Sequence, residues 1–163
     1  MKLRTKVVLG LVAVLVVLQL VPIDRTNPPV TGEIDAPADV KAVLKRACWD
    51  CHSNETVWPW YSRVAPVSFL VKRDVADGRK HLNFSEWKTY KPERRAKKLK
   101  ETAEEVGEGQ MPMAIYLPMH PEAKLSEADK KLLVDWANAA PADDAPPPAP
   151  APEAAPPPDA GTP

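Results

Sequence analysis

The pentapeptide Cys48-Trp49-Asp50-Cys51-His52 constrains this chain more than any other feature. It holds the only two cysteines among 163 residues, with one of the three histidines directly behind the second. Cysteines at i and i+3 fall on the same side of a helical turn. C-x-x-C-H is the spacing of haem attachment, in which two thiols meet two vinyl groups on one edge of the ring. The imidazole of the next residue then meets the iron from one face. On this reading Cys48 and Cys51 carry the thioethers of one covalent haem c, and His52 is the proximal iron ligand. Its other ring nitrogen should donate to a backbone carbonyl.

Two other chemistries use paired cysteines. A structural zinc needs four ligands, and beyond this motif the chain offers only His81 and His120. A thiol–disulfide redox site uses C-x-x-C in a βαβ setting, and no strand pattern is visible here. Net charge is zero, with 22 basic against 22 acidic residues. That balance argues against a nucleic-acid partner.

The N-terminus carries Lys2, Arg4 and Lys6, followed by an apolar run from Val7 to Val21 that Ile23 extends. As a helix the run spans roughly 25 Å, slightly short of a ~30 Å hydrocarbon core. No small-x-small cleavage site follows closely, and Ala36-Pro37-Ala38 lies too far downstream. Residues 1–23 are therefore expected to be a signal anchor, with the alternative a cleaved signal peptide and a soluble periplasmic product. The basic flank stays inside, which sends the remainder outward. The expected location is a bacterial inner membrane, single-pass, with the folded part facing the periplasm.

Residues 24–37 are expected to form a linker, because Thr26-Asn27-Pro28-Pro29 and Thr31-Gly32 are turn and extended signals. The folded domain then occupies 38–140. Val40, Val43, Leu44 and Ala47 form one helical face leading into Cys48, and Val67, Leu70, Val71 and Val75 a second, ending at Gly78. Asn83 to Trp87 reads as a turn into a short helix capped by Ser85. Pro92 to Val106 carries a stripe of Ala96, Leu99, Ala103 and Val106 and stops at Gly107. Ser126 and Asp129 open a last helix whose face is Leu132, Leu133 and Trp136. From Pro141 the chain is nearly all Pro, Ala and acid, so 141–163 should be disordered. The fold class is all-α with long loops.

A sixth iron ligand is sought among Met111, Met113, Met119, His120 and His81. Met111 sits in Gly109-Gln110-Met111-Pro112. Gly107 and Gly109 release the chain from the preceding helix, and Pro112 biases Met111 toward an extended backbone. Met111 is the expected ligand and His120 the alternative. Met113 and Met119 lack this context and read as gap-filling or surface residues. Trp58, Trp60, Tyr61 and Trp136 are candidates to wall a haem crevice, and Arg63 and Arg79 to pair with haem propionates. The Arg94-Arg95-Ala96-Lys97-Lys98 stretch reads as a solvated helix face balanced by Glu101, Glu104 and Glu105.

At this point the chain resembles the haem-binding domain family of bacterial c-type-haem proteins, over about residues 22–138. The resemblance rests on Pro22, Arg25 to Pro29, Cys48 to Thr56, Trp58 to Tyr61, Gly78-Arg79, Leu82 to Trp87, Met111-Pro112, Tyr116 and His120-Pro121. The chain departs from the family pattern at Met113, where a Met-Pro-Pro run would place a second proline. The resemblance implies a cytochrome c-like domain behind a membrane segment. By similarity to mono-haem cytochromes c, Cys48, Cys51 and His52 carry over as haem residues, and Met111 as the distal ligand.

The expected function is one-electron transfer with a redox partner protein, with the membrane contacted through the N-terminal helix. The alternative is a haem-based sensor or peroxidase-like protein with an open or displaceable sixth site. A third possibility is a non-haem binding module using its Pro-rich tail. No catalytic acid or base is evident beside the Met111 loop, so an electron carrier is expected rather than an enzyme.

Overall fold

The computed structural model describes residues 2–140, and the disordered tail expected over 141–163 lies outside that range. All regular structure among the described residues is helical, in six α-helices and four short 3₁₀ turns. The helices are α1 (Leu3–Gln19), α2 (Ala38–Ala47), α3 (Trp49–His52), α4 (Val67–His81), α5 (Pro92–Gly107) and α6 (Glu127–Ala139). The turns are Trp60–Arg63, Phe84–Thr89, Leu117–Met119 and Pro121–Ala123.

Three helices follow their apolar stripes. Helix α2 buries Val40, Val43, Leu44 and Ala47. Helix α5 buries Leu99, Ala103 and Val106 but leaves Ala96 of the expected stripe exposed, and has its proline in the first turn, where a missing N–H costs nothing. Helix α6 opens with a full capping box between Ser126 and Asp129, and buries Leu133 and Ala137. Helices α5 and α6 make the most extensive pairing, and α2 lies against α6. Arg46 of α2 reinforces that contact through an ion pair to Asp129 at 2.9 Å. The core assembled between them also takes in Trp49, Phe84 and Trp87.

Helix α4 departs from its sequence pattern. Val75 is buried, but Leu70 is 52% exposed and Val67 is also exposed. The helix runs through Gly78 to His81 instead of ending at the glycine. A Cβ on Gly78 would stand 2.6 Å from the Cys51 carbonyl oxygen, so this glycine is a point of close approach within the helix. The turn at Phe84 is capped by Asn83, whose side chain accepts from the Ser85 N–H, and not by Ser85. The Ser85 hydroxyl instead accepts from the Asn54 N–H at 2.9 Å.

The segment expected as a linker, 24–37, has no helix but is packed onto the domain. The N–H groups of Thr31 and Gly32 donate to the Ser85 carbonyl, and that of Ile34 to Phe84. Ile34 is 1% exposed, within the main core.

Helix α1 has no buried residue. Its 17 residues span roughly 25 Å. Among the described residues no helix is long and apolar enough to cross a membrane.

Burial ranks these positions by energy. Leu133 is fully buried, and truncation there leaves a cavity as well as losing transfer energy. Leu133→Ala is expected to lower unfolding free energy by about 2–5 kcal/mol. Ile115→Ala, at a position 78% exposed, should change it by no more than about 0.5 kcal/mol. Denaturant titration of the two variants checks the contrast.

Candidate functional site

Helix α2 hands directly into the Cys48–His52 turn. Cys48 breaks the helical path, and its carbonyl then accepts from the N–H groups of Cys51 at 3.3 Å and His52 at 2.9 Å. The turn is therefore helical, and both thiols and the imidazole border one open cavity of about 720 Å³. That volume lies within the ordinary range for cofactor sites. Helix α4 contributes Asp74, Asp77, Gly78 and His81 to the lining, and α5 contributes Lys97, Lys98, Glu101 and Glu105. The α5–α6 loop closes the cavity with Met111, Pro112, Met113 and Tyr116. Leu82 and Phe84 complete an apolar wall.

The His52 ring is held by backbone. Its Nδ1–H donates to the carbonyl of Gly78 at 3.0 Å and to that of Leu82 at 3.1 Å. Both partners are acceptors only, so Nδ1 carries the proton and Nε2 is the unprotonated nitrogen. Burial lowers the His52 pKa from its ordinary value, outweighing the two carbonyls, which raise it. A neutral imidazole with a free Nε2 is the form that ligates a metal.

The thiols are shielded in the same place. Burial pushes Cys48 up to about 12, with Cys51 adding to it. Burial, then the charge of Asp50, pushes Cys51 up to about 11. Thiol–disulfide enzymes work through a lowered thiol pKa, and this pair moves the other way. No group of three or more His, Cys, Asp and Glu residues suited to a metal ion occurs among the described residues. Two thiols, one backbone-oriented imidazole and an apolar-walled cavity fit a porphyrin better than a bare ion.

Asp50, between the cysteines, anchors the turn. Its Oδ1 accepts from the Val57 N–H at 2.9 Å, its Oδ2 from the Tyr116 hydroxyl at 3.0 Å, and its carbonyl from the Thr56 hydroxyl at 2.6 Å. Sequence reasoning missed this residue, and its place inside the motif was the available signal. Lys97 and Lys98 pair with Glu101 as the charge pattern predicts; Lys97 is exposed, Lys98 is largely covered, and both border the cavity.

The distal candidates separate by position. Met111 lines the cavity, as do Met113 and His81. Gly109 has φ of +72°, a conformation that favours glycine. The N–H groups of Gln110 and Met111 then turn back to the Glu105 carbonyl and bring Met111 to the cavity edge. Met119 is 53% exposed. His120 is outside the lining and engaged at both ring nitrogens, with Nε2 2.6 Å from the Tyr61 hydroxyl and Nδ1 3.0 Å from Glu122. Its ring also stacks on Tyr116 at 3.9 Å.

The arginines expected at propionates, Arg63 and Arg79, are outside the cavity lining. Arg79 donates to the Ser53 carbonyl, the Asn27 side-chain oxygen and the Thr56 hydroxyl, each at 2.8 Å. Those bonds tie segment 24–37 to the loop behind the Cys48–His52 turn, and neither arginine borders the cavity. Nor do Trp58, Trp60, Tyr61 and Trp136, so the aromatic lining is Phe84 and Tyr116.

Among known families, a model described as "Haem-binding domain" matches residues 13–139, more than three quarters of the chain. No curated protein and no solved structure matches it.

The approach of α4 to the motif at Gly78 gives a test of sign. In an ordinary helix interior, Gly→Ala stabilises by about 1 kcal/mol. Here the added methyl meets a backbone oxygen, so Gly78→Ala is expected to destabilise by about 1–3 kcal/mol. Chemical denaturation reads the sign, and a lower yield of haem-loaded protein should accompany it.

Proposed function

Because the chain belongs to the haem-binding domain family, we propose that it holds one covalent haem c through Cys48, Cys51 and His52 and passes single electrons on the outer face of a membrane. The observation that carries this reading is the His52 ring, whose Nδ1–H is committed to two backbone carbonyls beside a cavity that both thiols border.

A bound haem supplies a reversible ferrous–ferric couple. The protein's part is to bind and orient it and to tune its surroundings. Cys48 and Cys51 would hold the haem through thioethers, and His52 would supply a nitrogen ligand to its iron. Phe84, Leu82, Val106 and Pro112 form apolar lining that would limit water at a bound haem. Met111 is the proposed distal ligand, on its place in the cavity wall and the Gly109 turn that brings it there. A thioether opposite an imidazole raises the potential relative to two imidazoles.

Membrane attachment is proposed through α1. Lys2, Arg4 and Lys6 mark the inner end, and every side chain from Val7 to Val17 is exposed among the described residues. Leu20 to Ile23 lengthen the apolar stretch, and mismatch of a few ångströms is accommodated at modest cost.

Absorption spectra of the purified haem-loaded protein test the carrier reading. A sulfur-to-iron charge-transfer band in the oxidised wild type is expected, and its loss in Met111→Ala. The variant should also show a lower midpoint potential in a redox titration. Carbon monoxide binding by the reduced wild type, or spectra unchanged by the substitution, would favour the sensor or peroxidase-like alternative with an open or displaceable sixth site.

A further inference from the structure

The join between α1 and the rest of the chain is not a loose tether. Gln19, the last residue of α1, donates from Nε2 to the Arg63 carbonyl at 2.8 Å and accepts the Ala65 N–H on Oε1 at 2.9 Å. Arg25, just beyond, donates to the Ser62 carbonyl at 3.1 Å. The outer end of the apolar helix is thus fastened to the Trp60–Arg63 turn and to Ala65, just before α4.

That same region exposes apolar side chains. Trp60 is 69% exposed, Val64 45%, Val67 40% and Leu70 52%. They follow one another through the turn and the first turn of α4, on both sides of the residues that hold Gln19. Scattered exposed apolar residues need no explanation, but a run of them at the mouth of an unburied apolar helix does. Arg63 stands exposed among them. An amphipathic aromatic ring, aliphatic side chains and a cation on one edge match the layering of a bilayer interface, where tryptophan is enriched.

We propose that this edge, Trp60 to Leu70, rests in the headgroup layer of the membrane that holds α1. The proposal depends on α1 lying in the bilayer and adds an orientation to it. The haem cavity begins further along the same helix, at Asp74, Asp77 and Gly78. At 1.5 Å per residue, no more than about 17 Å of helix separates Val67 from Gly78. The edge therefore fixes the height of the site above the lipid surface and leaves the cavity free to meet a partner.

The test uses full-length haem-loaded protein in nanodiscs of phosphatidylethanolamine and phosphatidylglycerol. The native thiols are consumed by haem attachment, so single nitroxide labels are introduced through Trp60→Cys, Leu70→Cys, Val12→Cys and Lys100→Cys. Collision with oxygen reports lipid, and collision with a neutral water-soluble nickel complex reports water. Labels at 60 and 70 are expected to collide with nickel several-fold less than the label at 100 on α5, and with oxygen more. A label at 12 shielded from nickel, with 60 and 70 as wet as 100, would overturn the docked edge and leave the anchor standing. A label at 12 that is itself wet would overturn the anchor and the docked edge together.

Discussion

The site depends on two backbone carbonyls at the end of one helix. The C-terminal end of a helix is the negative end of its dipole, and the Gly78 carbonyl there, already accepting the Leu82 N–H at 2.9 Å, has room for a second donor. Helix α4 ends beside the haem motif, and the carbonyls of Gly78 and Leu82 take the Nδ1–H of His52. This arrangement sets the tautomer and aims the ring. It requires α3 and α4 to approach more closely than a side chain permits, and Gly78 supplies that approach.

Around this contact the structure is held by polar side chains reaching far along the chain. Asn54 gives Nδ2–H to the Pro29 carbonyl and accepts on Oδ1 from Asn83 at 2.8 Å. Asn83 orders Ser85, and the Ser85 hydroxyl returns to the Asn54 backbone. Asn27 donates to the Thr56 carbonyl and accepts from Arg79. Ser53, Asn54, Thr56, Asn83 and Ser85 are all buried and all hydrogen-bonded. A buried network of this kind is stabilising only when its members are satisfied, because each orphan would cost about 1–3 kcal/mol. It also leaves the apolar interior of α2, α5 and α6 to supply the hydrophobic term on the other side of the motif.

The parts legible in the sequence are those with a short-range signature. The stripes of α2, α5 and α6, the Ser126 capping box and the cysteine–histidine spacing are read within a few residues of themselves. The parts not legible join residues more than 20 positions apart and leave no period. Arg79 reads as a free cation until its three acceptors are known, and Gly78 reads as a helix stop until the neighbouring carbonyl is placed. Segment 24–37 has the composition of a linker, yet its backbone donors find Phe84 and Ser85. Helix α4 is a further case, since its periodicity indicates a helix but not what lies against each face. Among the residues that carry the family resemblance, Asn27, Asn54, Arg79, Asn83 and Ser85 are members of the polar network.

The most direct measurement is the mass of the proteolytic peptide that spans Cys48 to His52, taken from protein exported by a host competent in cytochrome c maturation. The expected result is that peptide carrying the added mass of one haem, retained through acid–acetone extraction. Recovery of the peptide at its bare mass, with two free thiols, would contradict covalent attachment at these residues.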